Sequence, residues 1–496
     1  MTYTLMSHQR ELVDKLGRSD IPSRLIGDEM GTGKTYECIA IEDRLRRLHQ
    51  GTRMRTLIVA PWAVHEMWRR KLIELLGLNP NDVVVIDRKK RATFLRAVQL
   101  GRARYYIIHY EGLRLKDMQP LQRITWFHII GDEIHRIKSP KALQTKAFKR
   151  LKAQFKTGAS GSIADDKPQD FWGPLNWARP DLFPNVSTKD PTKKFVADWC
   201  ETELVQGRFL GMHENEETGE EEEVFQTHQK VVGMREDRLA EFHRIIAPFY
   251  MRRLKEDVLD LPEKYFSPIN VKLLPSQQKV YNELRKKFLA WIGEHEDEKL
   301  EVPSVLGRLV RLQQAALASL MFTDTGKIDR SGEPIKKVTL REPSAKLDTF
   351  MDWAQDVKSP IVVFSQSRSM IELTAARLDA SGARVGVYTG STPDAARQTI
   401  IDNFSAGKLD FFLGTIKAGG EGVDGLQRSS STVAFFDRAW GPFRNKQAED
   451  RLHREGQKNA VQVVDFFAPG TVDSKVRQTN IDKWATLRAV LGDGRE

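Results

Sequence analysis

The octapeptide Asp28-Glu29-Met30-Gly31-Thr32-Gly33-Lys34-Thr35 follows a short apolar run and opens a helix-like stretch. Residues of these types in this order can hold phosphate. Glycines let the backbone wrap the anion, and successive N–H groups at a helix start donate to its oxygens. Lys34 would then reach the β- and γ-phosphates of a nucleotide, and the Thr35 hydroxyl would hold Mg²⁺. The strict pattern asks for Gly at position 28, where this chain has Asp. A phosphate loop that hydrolyses needs a second pair of carboxylates, and FHIIGDEIH, from Phe127, supplies it. Asp132 would complete the Mg²⁺ shell and Glu133 would orient or deprotonate water, with His135 near enough to sense the γ-phosphate. Taken alone, such a tetrapeptide is equally well a helix N-terminal acidic pair. Its place after an apolar strand favours the catalytic reading. A third candidate is GPFRNKQAEDRLHREGQ, which reads as a helix with Arg451 and Arg454 on one face. Two guanidinium groups there could neutralise charge spreading over a γ-phosphate; a solvated basic face is the alternative.

These residues need elements to hold them. Apolar, β-branched runs recur along the chain: SRLIG, TLIVAP, VVVID, YYIIHY, FHIIGDE and FKTGAS in the first half, then PIVVFSQ, RVGVYTG, FFLGT, TVAFFD and VQVVDFF. Their unbroken apolar character predicts strands buried on both faces, as in a parallel sheet covered by helices. Between them, stretches such as HEMWRRKLIELL space apolar residues by three and four, as crossover helices do. Two doubly wound α/β lobes follow. The boundaries predicted are 1–254 for the first lobe, 255–265 for a linker and 266–496 for the second lobe. Helical and hairpin inserts are expected at 163–246 and 276–343. Within the first, the acidic tract Glu214 to Glu223 reads as the tip of an exposed hairpin, and Thr323 to Pro343 reads as a mobile polar loop.

Composition narrows the classes. With 496 residues, 40% hydrophobic and 29% charged, the chain is long enough for two or three folded domains, not a disordered or collagen-like polymer. No run approaches a membrane-spanning length, and the first 20 residues lack a secretory apolar core, so a cytoplasmic home is expected. Two cysteines, Cys38 and Cys200, exclude a disulfide framework and a four-thiolate zinc site. The net charge of +11 favours a polyanionic partner.

Taken in order, the motifs resemble those of superfamily 2 helicases, and among them the Swi/Snf-like DNA translocases. LMSHQRELV, GDEMGTGKT, LIVAPWAVHEMW, HYEGLR, DEIH, PFYMRRLKEDVLDLPEK, IVVFSQSRSM, LGTIKAGGEGVDGLQ and DRAWGPFRNKQAEDRLHREGQ carry the likeness over nearly the whole chain. The resemblance implies two RecA-like lobes, ATP and Mg²⁺. It implies nucleotide contacts from Gln9, Met30, Gly31, Thr32, Gly33, Lys34 and Thr35, and from Gly422, Asp424 and Gln447 in the later motifs. It implies DNA contacts from Pro61, Trp62, Tyr110, Ser365, Gln366, Lys417, Gly419, Gly420 and Trp440. One departure touches coupling of hydrolysis to movement: TGASGS, from Thr157, stands where Thr-Gly-Thr-Pro is usual.

The function implied is an ATP-dependent translocase on double-stranded or branched DNA, monomeric and without a membrane partner, in a bacterial, archaeal or phage-infected cell. Two other readings stay open. A strand-separating DNA or RNA helicase would need a wedge element, and none is recognisable. A nucleotide-gated, non-catalytic scaffold would ordinarily have lost one of Lys34, Asp132, Glu133, Arg451 or Arg454, and all five stand.

Overall fold

The apolar runs fold as two parallel sheets, each within its own unit. The computed structural model describes all residues except 1–3, 50–53, 87–89, 165–166, 215–220, 295–301, 329–333, 421–422 and 494–496. One unit comprises Met1–Thr202, Val231–Asp260 and Lys483–Glu496, and the other Glu203–Lys230 and Leu261–Asp482. No helix among the described residues is long and apolar enough to cross a membrane.

In the first unit the strands are β1 (Ser23–Ile26), β2 (Thr56–Val59), β3 (Val83–Val85), β4 (Tyr105–Ile108), β5 (Thr125–Asp132) and β6 (Lys152–Ala159). Next in the chain, β7 (Cys200–Glu214) and β8 (Glu221–Met234), most of whose residues belong to the other unit, form a separate two-stranded sheet, and β9 (Tyr250–Met251) returns to the main sheet of the first. The order is β3-β4-β2-β5-β6-β1-β9, and the pairings are parallel. β1, β2 and β4 are buried at every position, which is why they carry no alternation. Helices α1 (Ser7–Leu16) and α2 (Lys34–Leu48) bring Leu12, Leu16, Ile39, Ile41 and Leu45 onto Ile58, Tyr105, Ile107 and Ile130.

One buried polar cluster fixes α2 to the sheet. Glu42 accepts from Thr56 Oγ1 at 2.5 Å and Arg46 Nε at 2.6 Å, and it pairs with His128 Nδ1. His128 Nε2 meets Thr157 Oγ1 at 2.8 Å. The cluster therefore registers the helix that begins at Lys34 against β2, β5 and β6. Burial works against ionisation of Glu42, but Arg46 and then His128 hold its carboxyl near 2. Burial keeps the His128 imidazole below its ordinary value, hence neutral.

The second unit contains β10 (Lys264–Asn270), the pair β11 (Ser319–Ile328) and β12 (Pro334–Arg341), β13 (Ile361–Ser365), β14 (Val385–Tyr388), β15 (Phe411–Thr415), β16 (Thr432–Phe435) and β17 (Val461–Phe467). Its six-stranded sheet runs β10-β17-β16-β13-β15-β14, again in parallel pairings.

The loop expected from Thr323 to Pro343 is instead most of an antiparallel hairpin. β11 and β12 pair from Ser319↔Arg341 to Ile328↔Pro334, with a bulge between Asp324 and Lys327. Gly326, at φ +68°, sits inside that bulge. The turn-forming residues thus mark an irregularity within paired strands. The hairpin expected around the acidic tract has the strands β7 and β8, while its tip, residues 215–220, lies outside the described residues.

Candidate nucleotide and nucleic-acid sites

Strand order decides which loops share an edge. β5, β6 and β1 are neighbours, with Asp132 and Ile26 both in register with Ala159. Their C-terminal ends therefore present three segments side by side: the phosphate loop, the Asp132–His135 turn and the loop that begins at Ser160. Open α/β sheets bind ligands at such strand ends.

The phosphate loop has the backbone its glycines predict. Gly31 and Gly33 lie at φ +88° and +92°, and α2 starts at Lys34, directing its free N–H groups into the loop. A Cβ on Gly33 would stand 2.3 Å from Gln9 Nε2. Gln9 donates to the Thr32 carbonyl at 3.1 Å, and its Oε1 accepts from Met6 N at 3.1 Å. Lys34 Nζ donates to the carbonyls of Asp28 and Glu29 at 2.8 and 2.7 Å. Its ammonium is thus inside the loop, where phosphate oxygens would be stronger acceptors.

Asp28, the departure from the strict pattern, has a partner far along the chain. Arg253 Nε donates to Asp28 Oδ2 at 2.9 Å, and Arg253 Nη2 also reaches Glu37 Oε1 at 2.9 Å in the first turn of α2. Glu29 Oε2 accepts from Lys255 N at 3.0 Å. The stretch RRLK thus grips both acidic residues of the loop. Burial, then the nearby Asp28 charge, pushes the Glu37 carboxyl well above its ordinary range.

At the end of β5, Asp132 Oδ2 accepts from Trp68 Nε1 at 2.7 Å and Oδ1 accepts from Glu133 N at 3.0 Å. Glu133 has φ +51° and ψ +54°, the one non-glycine residue at positive φ among the described residues. A left-handed glutamate is strained, and such strain gathers at functional sites. Its Oε2 accepts from Ser160 Oγ at 3.0 Å, and His135 Nδ1 lies 2.9 Å from Ser160 Oγ and 3.2 Å from Glu133 Oε2. Burial opposes ionisation of Glu133, but the His135 hydrogen bond and charge bring its carboxyl down to about 2. Burial and the Glu133 charge push Asp132 up. Ser160 belongs to TGASGS, so the departure from Thr-Gly-Thr-Pro supplies the hydroxyl that joins Glu133 to His135. Sequence reasoning missed Ser160, Trp68 and Arg253 as site residues.

In the second unit the expected helix bearing both arginines stops early. It spans Pro442–Glu449, and Arg451 and Arg454 lie in the turns beyond it, before Gly456 at φ +88°. The helical spacing expected to put them on one face is therefore absent. Arg451 is buried and donates to the carbonyls of Val423, at 2.6 Å, and Gly420. Arg454 is one-fifth exposed and pairs with Asp424 at 3.3 Å. Gln447 is buried, and Gly422 lies outside the described residues. Arg438 fixes the helix end, bonding Glu449 at 2.6 Å and Asp465 at 2.5 Å.

The residues expected along the DNA divide by exposure. Lys417 and Gln366 are exposed and Trp62 is partly so, stacked edge-on against His109 at 5.1 Å. Pro61 is buried. Tyr110 is fully buried, and its hydroxyl donates to Asp132 O at 2.7 Å, at the start of the turn that holds Glu133. Ser365 is also fully buried, donating to Asp437 at 2.6 Å. Both hydroxyls are engaged inside the protein, so neither faces a strand as expected. Gly419 packs so closely that a Cβ would meet Phe364 at 2.4 Å, and a Cβ on Gly420 would meet Ile416 O at 2.5 Å. Trp440 Nε1 bonds Gln313 at 3.0 Å and its ring borders the cluster of Leu273, Tyr281 and Leu312.

A phosphate loop beside a strained Asp-Glu-Ile-His turn on one parallel sheet, with an arginine-bearing glycine loop on a second, defines a helicase-type protein. Family models agree: residues 8–319 match the SNF2-related domain and residues 345–456 the helicase conserved C-terminal domain. The chain belongs to the SNF2-related family. It is 26% identical over 486 residues to a probable chromatin-remodeling complex ATPase chain of Oryza sativa subsp. japonica, covering 95% of this chain and 39% of that protein. To the ISWI chromatin-remodeling complex ATPase CHR17 of Arabidopsis thaliana it is 26% identical, covering 95% of this chain and 40% of the other. The chain thus spans about two-fifths of the length of these relatives. It is also similar to the Sulfolobus solfataricus SWI2/SNF2 ATPase core in complex with dsDNA, at 21% identity and TM-score 0.42, covering 99% of this chain and 97% of that one.

Proposed function

We propose that the chain is an ATP-hydrolysing motor that moves along double-stranded DNA. The observation that carries this is the strained Glu133, joined to His135 through Ser160 at the strand ends that also hold the phosphate loop. Lys34, the amides opening α2 and the positive-φ glycines fit a triphosphate, with Gln9 beside the loop to read the base. Thr35 and Asp132 offer the oxygen ligands a hard cation takes. Bound Mg²⁺ would supply charge neutralisation on the phosphate oxygens. Glu133, held anionic, orients water and accepts its proton; His135 and Ser160 keep that carboxylate aimed. Arg454 and Arg451 are assigned the transition-state charge. Trp62, Gln366, Lys417 and Trp440 are assigned to the DNA, with Gly419 and Gly420 as close-approach backbone. The +11 net charge suits that polyanion.

The test measures ATP turnover with duplex, branched and single-stranded DNA and with RNA, alongside triplex displacement and unwinding of a tailed duplex. Duplex or branched DNA should stimulate turnover most, triplex displacement should require ATP, and Glu133→Gln should abolish turnover while binding nucleotide. A turnover indifferent to nucleic acid would refute the motor, and unwinding without triplex displacement would favour the helicase.

A further inference from the structure

Arg252, which the hydrolysis scheme leaves unused, joins four segments of the first unit. It follows β9 directly, and its side chain is 4% exposed. Nη1 donates to Gly27 O at 2.6 Å and to Gly161 O at 3.2 Å. Gly27 lies between β1 and the phosphate loop; Gly161 follows Ser160. A Cβ on Gly161 would stand 2.7 Å from Met30 Cγ and 3.4 Å from Lys34 Nζ, so this loop lies directly against the phosphate loop. The remaining edge of the guanidinium is a fork on Asp493, with Nε and Nη2 each 2.6 Å from a carboxylate oxygen.

Asp493 is held in place by its own segment. Leu487 and Val490 are fully buried, His243 Nε2 meets Val490 O at 3.1 Å, and Asp493 N donates to Arg488 O at 2.9 Å. Gly492, at φ +79°, makes the turn that delivers the carboxylate. A bidentate pair fixes the plane of a guanidinium as well as its position. Its remaining N–H groups then have one direction, which here is toward two carbonyls flanking the nucleotide loops.

We propose that Asp493 is a positioning residue for hydrolysis: by orienting Arg252 it sets the spacing between the phosphate loop and the Ser160 turn that aims Glu133. The inference rests on the reading of this site as an ATPase, but it makes a separate demand. Without Asp493 the loops still bind nucleotide, yet Glu133 loses its alignment with the phosphates. Small misplacements of a catalytic group are costly, on the order of a hundredfold per ångström.

The experiment compares Asp493→Asn with Val98→Ala in the full chain, following DNA-stimulated turnover, KM for ATP, binding of a fluorescent ATP analogue and thermal unfolding. Val98 is fully buried in the helix Arg91–Leu100 of the same unit and touches neither the fork nor the loops it joins, so its truncation reports lost stability alone. Asp493→Asn should lower kcat by about tenfold or more with KM and analogue binding changed less than about threefold. Val98→Ala should lower the melting temperature and keep kcat, and Asp493→Glu should recover part of the lost turnover. If Asp493→Asn lowers only the melting temperature, as Val98→Ala does, the pair is structural and the proposal fails. If it weakens analogue binding in proportion to kcat, the proposal also fails, since the fork would then be serving binding. A wild-type chain with no ATP turnover would overturn the functional reading itself, an outcome separate from either.

Discussion

Replacing Arg253 with Met removes the cation that the Asp28 and Glu37 carboxyl groups share. The Asp28 and Glu37 side chains are 0% exposed and Arg253 is 11% exposed, so the cluster is shielded from solvent. Removing one partner of a buried pair costs about 3–5 kcal/mol, mostly from the charge left behind. At about 2–4 °C per kcal/mol for a unit of this size, melting should fall by roughly 6–20 °C. Thermal unfolding followed by far-ultraviolet circular dichroism reads this, and binding of a fluorescent ATP analogue should weaken in parallel. The double variant Asp28→Asn with Arg253→Met should lose less than Arg253→Met alone, because the stranded Asp28 carboxylate is gone while burial favours the neutral form of Glu37. An Arg253→Met protein melting within 2 °C of wild type would refute the reasoning. So would a double variant whose losses simply add.

Three further outcomes can be measured. Arg454→Ala should depress DNA-stimulated turnover by on the order of 10³-fold with analogue binding retained, whereas Arg451→Ala should also lower the melting temperature, since Arg451 ties down Gly420 and Val423. Ser160→Ala, which deletes the hydroxyl between Glu133 and His135, should lower kcat by about tenfold without changing KM; unchanged kcat would remove Ser160 from the mechanism. Stability should decline as pH falls below about 6.5, because unfolded His128 gains a proton that the buried imidazole resists, and decline further from about 4.5 toward 2 as Glu42 is protonated. A melting temperature flat from pH 7 to 5 would contradict the neutral assignment of His128.

The sheets were legible because strands buried on both faces advertise themselves as unbroken apolar runs, and the phosphate loop because its chemistry is local. What escaped was non-local or irregular. Arg253 and Asp28 are 225 residues apart, and no periodicity links them. Ser160 was visible only as a departure from a pattern, and its role needed the turn that holds Glu133 beside it. The helix predicted through Arg454 ended at Glu449, since spacing alone cannot distinguish a helical face from successive turns. Tyr110 and Ser365 sit in segments the family resemblance places on DNA, yet each hydroxyl turns inward to a backbone carbonyl or a buried carboxylate. Gly326, which marks turns in sequence, instead accommodates a bulge in a hairpin.

The aspartate in the phosphate loop also has a consequence for biosynthesis. A glycine at position 28 would remove one of the loop's demands on Arg253. Asp28 and Glu37 instead require Arg253, and the 225 residues separating Asp28 from its partner take roughly 11–45 s to add at typical elongation rates. Through that interval a nascent chain bearing β1, β5 and β6 carries Asp28 without the guanidinium that pairs with it. The side-chain contacts of Asp28 are therefore completed only after β1, β5 and β6 have all been made. A ribosome paused anywhere between Ala159 and Tyr250 would hold β1 and α2 without the Arg253 that bonds Asp28 and Glu37.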